Sequence, residues 1–95
     1  MIKVVKTNNK ILITGHAGSD EYGKDIVCAS VSSIVYTTIN AITKLGKKIN
    51  VVDDKDMLIE ILSDDETTNS LIDNMLELLK SLENDYPKNI KVKEN

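Results

Sequence analysis

Apolar and polar residues alternate over residues 2–7 and again over residues 10–15. This period of two is typical of strands with one buried face. The Asn pair at positions 8–9 separates the two runs, and Asn tolerates the positive φ of a tight hairpin turn. The beginning of the chain therefore predicts a β-hairpin.

Apolar residues then recur at near-helical spacing, which predicts a helix from about residue 26 to 44. Asp25 is the predicted N-cap, because its carboxylate can accept an amide of the first turn. Gly46 is the predicted C-terminal stop. Most of the apolar residues are β-branched, so burial has to override a poor local propensity for helix. They are Ile26, Val27, Val31, Ile34, Val35, Ile39 and Ile42.

The remainder of the chain predicts two more strands, a second helix and a final strand. Short apolar runs at 49–52 and 57–62 flank a polar turn. Ser63, with Glu66 three places later, indicates a capping box for a leucine-rich helix that continues to about residue 84. Pro87 prevents that helix from continuing. Ile90 and Val92 then alternate with lysines in the last strand.

The predicted order is ββαββαβ. It indicates an α/β fold: a two-layer domain whose mostly antiparallel sheet is backed by two helices. Ninety-five residues suit one domain, 1–95, with a thin core that a partner subunit would help to cover.

Composition narrows the classes of function. A net charge of −3 disfavours nonspecific binding to nucleic acid, and the absence of Phe and Trp leaves little to stack on bases. One cysteine excludes an intramolecular disulfide and fits a reducing cytosol. No uninterrupted apolar run reaches the roughly 18 residues of a membrane span, and the N-terminus does not resemble a signal peptide.

The chemistry of interest concentrates in residues 15–33, which hold the only histidine, His16, and the only cysteine, Cys28. A thiol attacks as its thiolate, which a neighbouring imidazole or a helix N-terminus favours. Cys28 is the third residue of the predicted helix, close to its free amides, which could also stabilise an oxyanion. His16 ends the second strand and could act first as general base and then as general acid. The pair indicates a cysteine hydrolase.

Other residues of this stretch are candidates for support. Asp25 and Ser32 lie three places before and four places after Cys28, on the same helix face, where Asp25 could orient His16 and Ser32 could donate a hydrogen bond. The loop between His16 and the helix could close over a substrate. Its candidate substrate residues are Gly15, Ala17, Gly18, Tyr22 and Gly23.

Each candidate also has a plainer interpretation. A lone cysteine on an apolar helix is often a small buried hydrophobe, and a lone histidine at a strand end is often a surface residue. In the same interpretation Asp25 is a helix cap alone, Ser32 a small packing residue, Tyr22 an ordinary loop aromatic and the glycines turn formers. A metal site on one His and one Cys lacks the usual four ligands.

Two segments together resemble a known family. They are G-H-A-G at 15–18 and G-K-D-I-V-C-A-S-V-S at 23–32. With their spacing, and with Y-P-K at 86–88 before the last strand, the chain resembles the ribosomal-processing cysteine proteases, the Prp family, over nearly its whole length. Two positions depart from the family pattern. Ser19 stands where an aromatic residue is frequent, and Ser30 stands where Ala is frequent.

The resemblance implies an endopeptidase that removes a short N-terminal extension from a bacterial large-subunit ribosomal protein, whose mature N-terminus reaches the peptidyl-transferase centre. It implies His16 and Cys28 as the catalytic dyad, with Asp25 and Ser32 in support. It also implies a homodimer, and a glycine-rich loop that rearranges when substrate binds.

The resulting hypothesis is a cytoplasmic cysteine endopeptidase that needs no metal or cofactor and has no direct contact with nucleic acid or membrane. Two alternatives stay open. One is a binding module that docks the same ribosomal protein without cleaving it. The other is a thiol-redox sensor that forms a Cys28 disulfide between two chains under peroxide.

Overall fold

The computed structural model describes residues 1–15 and 24–95, and for Lys24 and Asp25 it describes the backbone alone. The predicted order ββαββαβ is confirmed, with every boundary within two residues of the prediction. The elements are β1 (Ile2–Thr7), β2 (Lys10–Thr14), α1 (Lys24–Lys44), β3 (Ile49–Asp53), β4 (Met57–Ile61), α2 (Glu66–Asp85) and β5 (Ile90–Glu94).

The five strands form one sheet in the order β3-β4-β2-β1-β5. Three of the four pairings are antiparallel, and β5 joins β1 in parallel, so the predicted mostly antiparallel sheet is confirmed. The predicted hairpin is present as well. Its turn places Asn8 at φ 52°, in the left-handed region that Asn tolerates.

The register places one set of apolar side chains on the inner face of the sheet. Val4 pairs with Ile13, and Ile11 pairs with Ile59, so these side chains share a face. Both helices cover that face and contribute the rest of the core. The fully buried residues from the strands and helices include Val4, Ile11, Val27, Val35, Ile42, Ile59, Met75, Leu76, Leu79 and Ile90.

Helix α1 shows burial overriding local propensity. Its β-branched residues Val27, Val31 and Val35 are buried against the sheet. Residues 26–44 are also long and apolar enough, by length and composition, to cross a membrane, with a mean hydropathy of 1.5. A third of that window is buried inside the fold.

Two predicted helix caps are wrong. The N-cap of α2 is Asp65, whose carboxylate accepts the Thr68 amide at 2.8 Å and the Thr68 hydroxyl at 3.1 Å. Ser63 instead accepts the Lys48 amide at 2.7 Å, a contact between distant parts of the chain. Asp25 already lies inside α1, which begins at Lys24.

The outer face of the sheet carries a row of apolar side chains across four strands. The pairings Val5 with Leu12, Leu12 with Leu58, and Leu58 with Val52 align the row. Leu12 and Val52 are exposed and the other two are half-buried. Within residues 1–15 and 24–95, both helices lie on the opposite face, so neither covers this row.

Candidate active site

A cleft opens at the edge of the sheet where β2 and β3 end and β4 begins, beside the first three turns of α1. It has a volume of about 170 Å³. Its walls bring together residues from four segments of the chain, near residues 2, 13–15, 28–36 and 53–57. They are Ile2, Ile13, Gly15, Cys28, Val31, Ser32, Val35, Tyr36, Asp53, Asp54, Lys55 and Met57.

Cys28 lines this cleft and is half-buried. It packs against the apolar core on one side, and the cleft leaves part of it accessible. A fully buried, inert thiol is therefore not what the structure shows. The thiol combines a fixed position with access for a reactant, which a nucleophile requires.

Helix α1 sets the direction of the Cys28 side chain. Cys28 is the fifth residue of the described helix, one turn in from Lys24, and not the third as predicted. Because Cα–Cβ bonds tilt toward a helix N-terminus, the side chain leans back over the first turn. The side chain is therefore directed toward the positive end of the helix dipole.

Ser32 lies one turn beyond Cys28 and lines the same cleft. The prediction that the two share a helix face is confirmed. Ser32 is exposed at this position.

Gly15 forms part of the cleft wall and is constrained by its surroundings. Its φ is +86°, and a Cβ at this position would lie 2.0 Å from the Met1 carbonyl oxygen. A side chain is therefore excluded both by backbone conformation and by contact. The space on the Cβ side of Gly15 is therefore taken by the backbone of Met1 and Ile2.

Several predicted site residues fall outside the described residues. They are His16, Ala17, Gly18, Tyr22 and Gly23, together with the side chain of Asp25. Their predicted roles stay predictions. Gly15 is the residue that directly precedes His16 in the sequence, and it is in the cleft with Cys28.

Sequence reasoning missed two residues at the far end of the cleft. The Tyr36 hydroxyl donates a hydrogen bond to the Asp53 carboxylate, which joins α1 to the end of β3. This hydrogen bond raises the pKa of Tyr36 above its ordinary value, with further contributions from desolvation and from the negative charge of Asp53. Helical spacing could have revealed Tyr36, one turn after Ser32, but only the tertiary fold brings Asp53 to it.

The floor and the rim of the cleft differ in polarity. Ile2, Val31 and Val35 are buried beneath it, and Ile13 and Met57 are half-buried. The polar residues lie at the exposed rim. This arrangement suits an apolar side chain on the floor and a peptide backbone across the rim.

A metal centre finds no support in residues 1–15 and 24–95. No group of three or more His, Cys, Asp or Glu side chains there is arranged to hold an ion. The chemistry that this part of the chain offers is that of a thiol, a serine hydroxyl and a tyrosine–carboxylate pair.

Comparisons with known proteins give a consistent result. Residues 1–91 match the family model described as cysteine protease Prp. The chain is 34% identical over 88 residues to the ribosomal processing cysteine protease Prp of Staphylococcus aureus strain Mu50, covering 86% of this chain and 82% of the relative. It is 30% identical over 92 residues to the Bacillus subtilis protein of the same name, covering 87% and 82%.

Solved structures share the fold. The S. aureus protease with a substrate peptide superposes with a TM-score of 0.86 at 23% identity, covering 99% of this chain and 97% of that one. The same protease with a covalently linked product peptide gives 0.84 at 24% identity, with the same coverage. A Streptococcus mutans protein gives 0.85 at 28% identity, covering 98% and 90%.

Proposed function

This chain belongs to the cysteine protease Prp family, and on that premise we propose that it is an endopeptidase that removes the N-terminal extension of a large-subunit ribosomal protein. The two named relatives are ribosomal processing proteases, and the S. aureus enzyme binds a substrate peptide. The whole span 1–95 forms one protease domain in this proposal.

Cys28 is the proposed nucleophile and His16 the proposed general base and acid. The Cys28 sulfur forms a bond to the scissile carbonyl carbon while its proton passes to His16. The C–N bond then breaks, and His16 gives that proton to the leaving amine. Water adds to the resulting thioester and releases the acid product and the free thiol. Asp25 and Ser32 support the pair, and the loop at 15–23 contacts the substrate.

One observation carries this proposal. The half-buried Cys28 thiol lines a cleft one turn from the start of the described α1, and Gly15, the residue before His16, lines the same cleft. The two sequence segments that hold the proposed dyad therefore converge on one small cavity with room for a peptide side chain.

Cleavage of a peptide that spans the extension junction tests the assignment. We expect Cys28→Ala to lower kcat/KM by about a thousandfold or more, because the covalent route is lost. Asn40→Ala serves as the matched control, because Asn40 is exposed on the same helix and does not line the cleft. This variant should cleave the peptide at the wild-type rate. Equal turnover by wild type and Cys28→Ala ends the dyad assignment.

The outcomes also separate the alternatives. Tight peptide binding without product in the wild type identifies a binding module. A Cys28-linked disulfide between chains under peroxide, with no selectivity among peptides, identifies a redox sensor. Loss of cleavage in His16→Ala distinguishes the protease from both, since neither alternative uses the imidazole.

We also propose that the protein is a cytoplasmic homodimer. A lone thiol suits a reducing compartment. A thin core and an apolar row on the outer sheet face leave surface for a second copy to cover. Light scattering should give twice the chain mass of 10.5 kDa, and a mass of one chain excludes the dimer.

A further inference from the structure

Tyr36 and Asp53 line one end of the cleft beside Cys28. Cys28 and Tyr36 line the cleft from the same helix, eight residues apart, which corresponds to about 12 Å along the axis. At the Tyr36 end, the hydrogen bond from the tyrosine hydroxyl to Asp53 links α1 to the end of β3. We call this contact the Tyr36–Asp53 clasp.

The size of the cleft limits what it can hold. Its volume is about 170 Å³. An apolar protein cavity of about 150 Å³ holds one benzene molecule, whereas sites for drug-sized ligands begin at about 300 Å³. The cleft therefore has room for one apolar side chain of the size of Leu or Phe, resting on Val31, Val35 and Ile2.

We propose that the Tyr36–Asp53 clasp is a specificity-determining element that closes this subsite and sets the length of the substrate side chain that can lie beside Cys28. The proposal rests on the proposed function, in that the occupant is a side chain of the peptide that Cys28 attacks. Tyr36 supplies the end wall, and Asp53 holds the tyrosine ring in place.

The chemistry of the clasp keeps it closed in neutral solution. A hydroxyl that donates to an ionised carboxylate forms a charge-assisted hydrogen bond, stronger than one between neutral groups. A tyrosine hydroxyl has an ordinary pKa of about 10 and keeps its proton in neutral solution, and the hydrogen bond to Asp53 raises that pKa further. Tyr36 is 37% exposed, so the ring has solvent on one side and would be free to turn outward if the bond were removed.

The test measures which side chain the cleft accepts. A peptide series carries Ala, Leu, Phe or the longer 4-phenyl-phenylalanine at each position flanking the scissile bond in turn. Wild type should strongly prefer Leu or Phe to the longest side chain. Tyr36→Ala should raise the ratio of kcat/KM for 4-phenyl-phenylalanine over Phe by about tenfold or more, since single groups in apolar pockets change selectivity by about 10- to 200-fold.

Two further variants separate the clasp from simple loss of volume. Tyr36→Phe keeps the ring and removes the hydrogen bond, and it should raise the same ratio by a smaller factor. Thr37→Ala is the matched control, because Thr37 is exposed on the next position of α1 and does not line the cleft. Its ratio should equal that of wild type. If Tyr36→Ala does not fold, the ratio measured for Tyr36→Phe decides whether the clasp sets the accepted side-chain length.

Binding to catalytically inactive protein distinguishes failure of this inference from failure of the proposed function. The Kd values of the same peptides are measured on Cys28→Ala with and without Tyr36→Ala. The wild type could fail to cleave any peptide while binding still shows a length preference that depends on Tyr36. That result would reject the proposed protease function and support the role of the Tyr36–Asp53 clasp. Cleavage or binding with an unchanged length preference in both Tyr36 variants overturns the clasp.

Discussion

Helices α1 and α2 are nearly equal in length, with 21 and 20 residues, and cover the same face of one sheet. Their sequences differ greatly. Helix α2 buries one stripe that includes Met75 and Leu79, exposes charged residues elsewhere, and begins at a well-formed cap. Helix α1 is rich in Val, Ile, Ser and Thr, and its N-terminal turns line the cleft. The difference indicates a structural role for α2 and adds a chemical role to α1.

The largest effect on stability should come from the core stripe of α2. Leu79 is fully buried, so Leu79→Ala removes core packing and should lower the free energy of unfolding by about 2–5 kcal/mol. Leu78→Ala is the matched control, because the adjacent Leu78 is 47% exposed and should cost about 0.5 kcal/mol or less. Urea denaturation measures both values. Equal costs contradict the assignment of the buried stripe.

A smaller effect should come from Gly15, at the cleft. Gly15→Ala adds a Cβ against the Met1 carbonyl and strains a positive φ, whereas at Gly46 the same change meets nothing within 4 Å and strains φ alone. We expect Gly46→Ala to cost about 1 kcal/mol. Gly15→Ala should cost roughly 1–3 kcal/mol more.

The Gly15 variant should also lose cleavage activity, since the change displaces the segment that leads to His16. Urea denaturation and peptide cleavage on both glycine variants provide the measurements. Full activity in a folded Gly15→Ala protein shows that the cleft does not depend on this close contact.

The smallest effect should come from the charge of the α2 cap. The amide of Thr68 holds the pKa of Asp65 below its ordinary value, with the Thr68 hydroxyl and Lys47 contributing in the same direction. A lowered folded-state pKa stabilises the fold above the unfolded-state value and loses that contribution as the pH falls through the folded one. The loss therefore falls below about pH 4.

Asp65→Asn tests this dependence, because Asn caps a helix well without carrying charge. The melting temperature of wild type should exceed that of the variant at pH 7, and the difference should shrink by pH 3. A difference that is constant between the two pH values contradicts a contribution from the ionised carboxylate.

Features that depend on neighbouring residues in the sequence could be predicted, and those that depend on distant contacts could not. Alternation and helical spacing were enough for all seven elements. The cap of α2 was assigned to Ser63, whose hydroxyl instead accepts the Lys48 amide at the end of the paired strands β3 and β4. Asp25 was assigned as a cap because the helix was expected to begin two residues later.

The candidate site shows the same division. Cys28 and Ser32 share the cleft as helical spacing predicts. The apolar floor and the Tyr36–Asp53 clasp arise from contacts between α1 and strands that are far away in sequence. The residues proposed for the chemistry were therefore visible in the sequence, and the residues proposed to set the fit were not.

The parallel pairing of β5 with β1 joins the beginning of the chain to its last strand, with Ile2 opposite Ile90. Strand β1 pairs with β2 on one side, and its other edge stays unpaired until β5 is synthesised and pairs with it. A chain emerging from the ribosome N-terminus first cannot complete its sheet before residues 90–94 are free. Because Ile2 lines the cleft and also pairs with Ile90, this part of the cleft wall gains its second strand partner only after residue 90 has been synthesised.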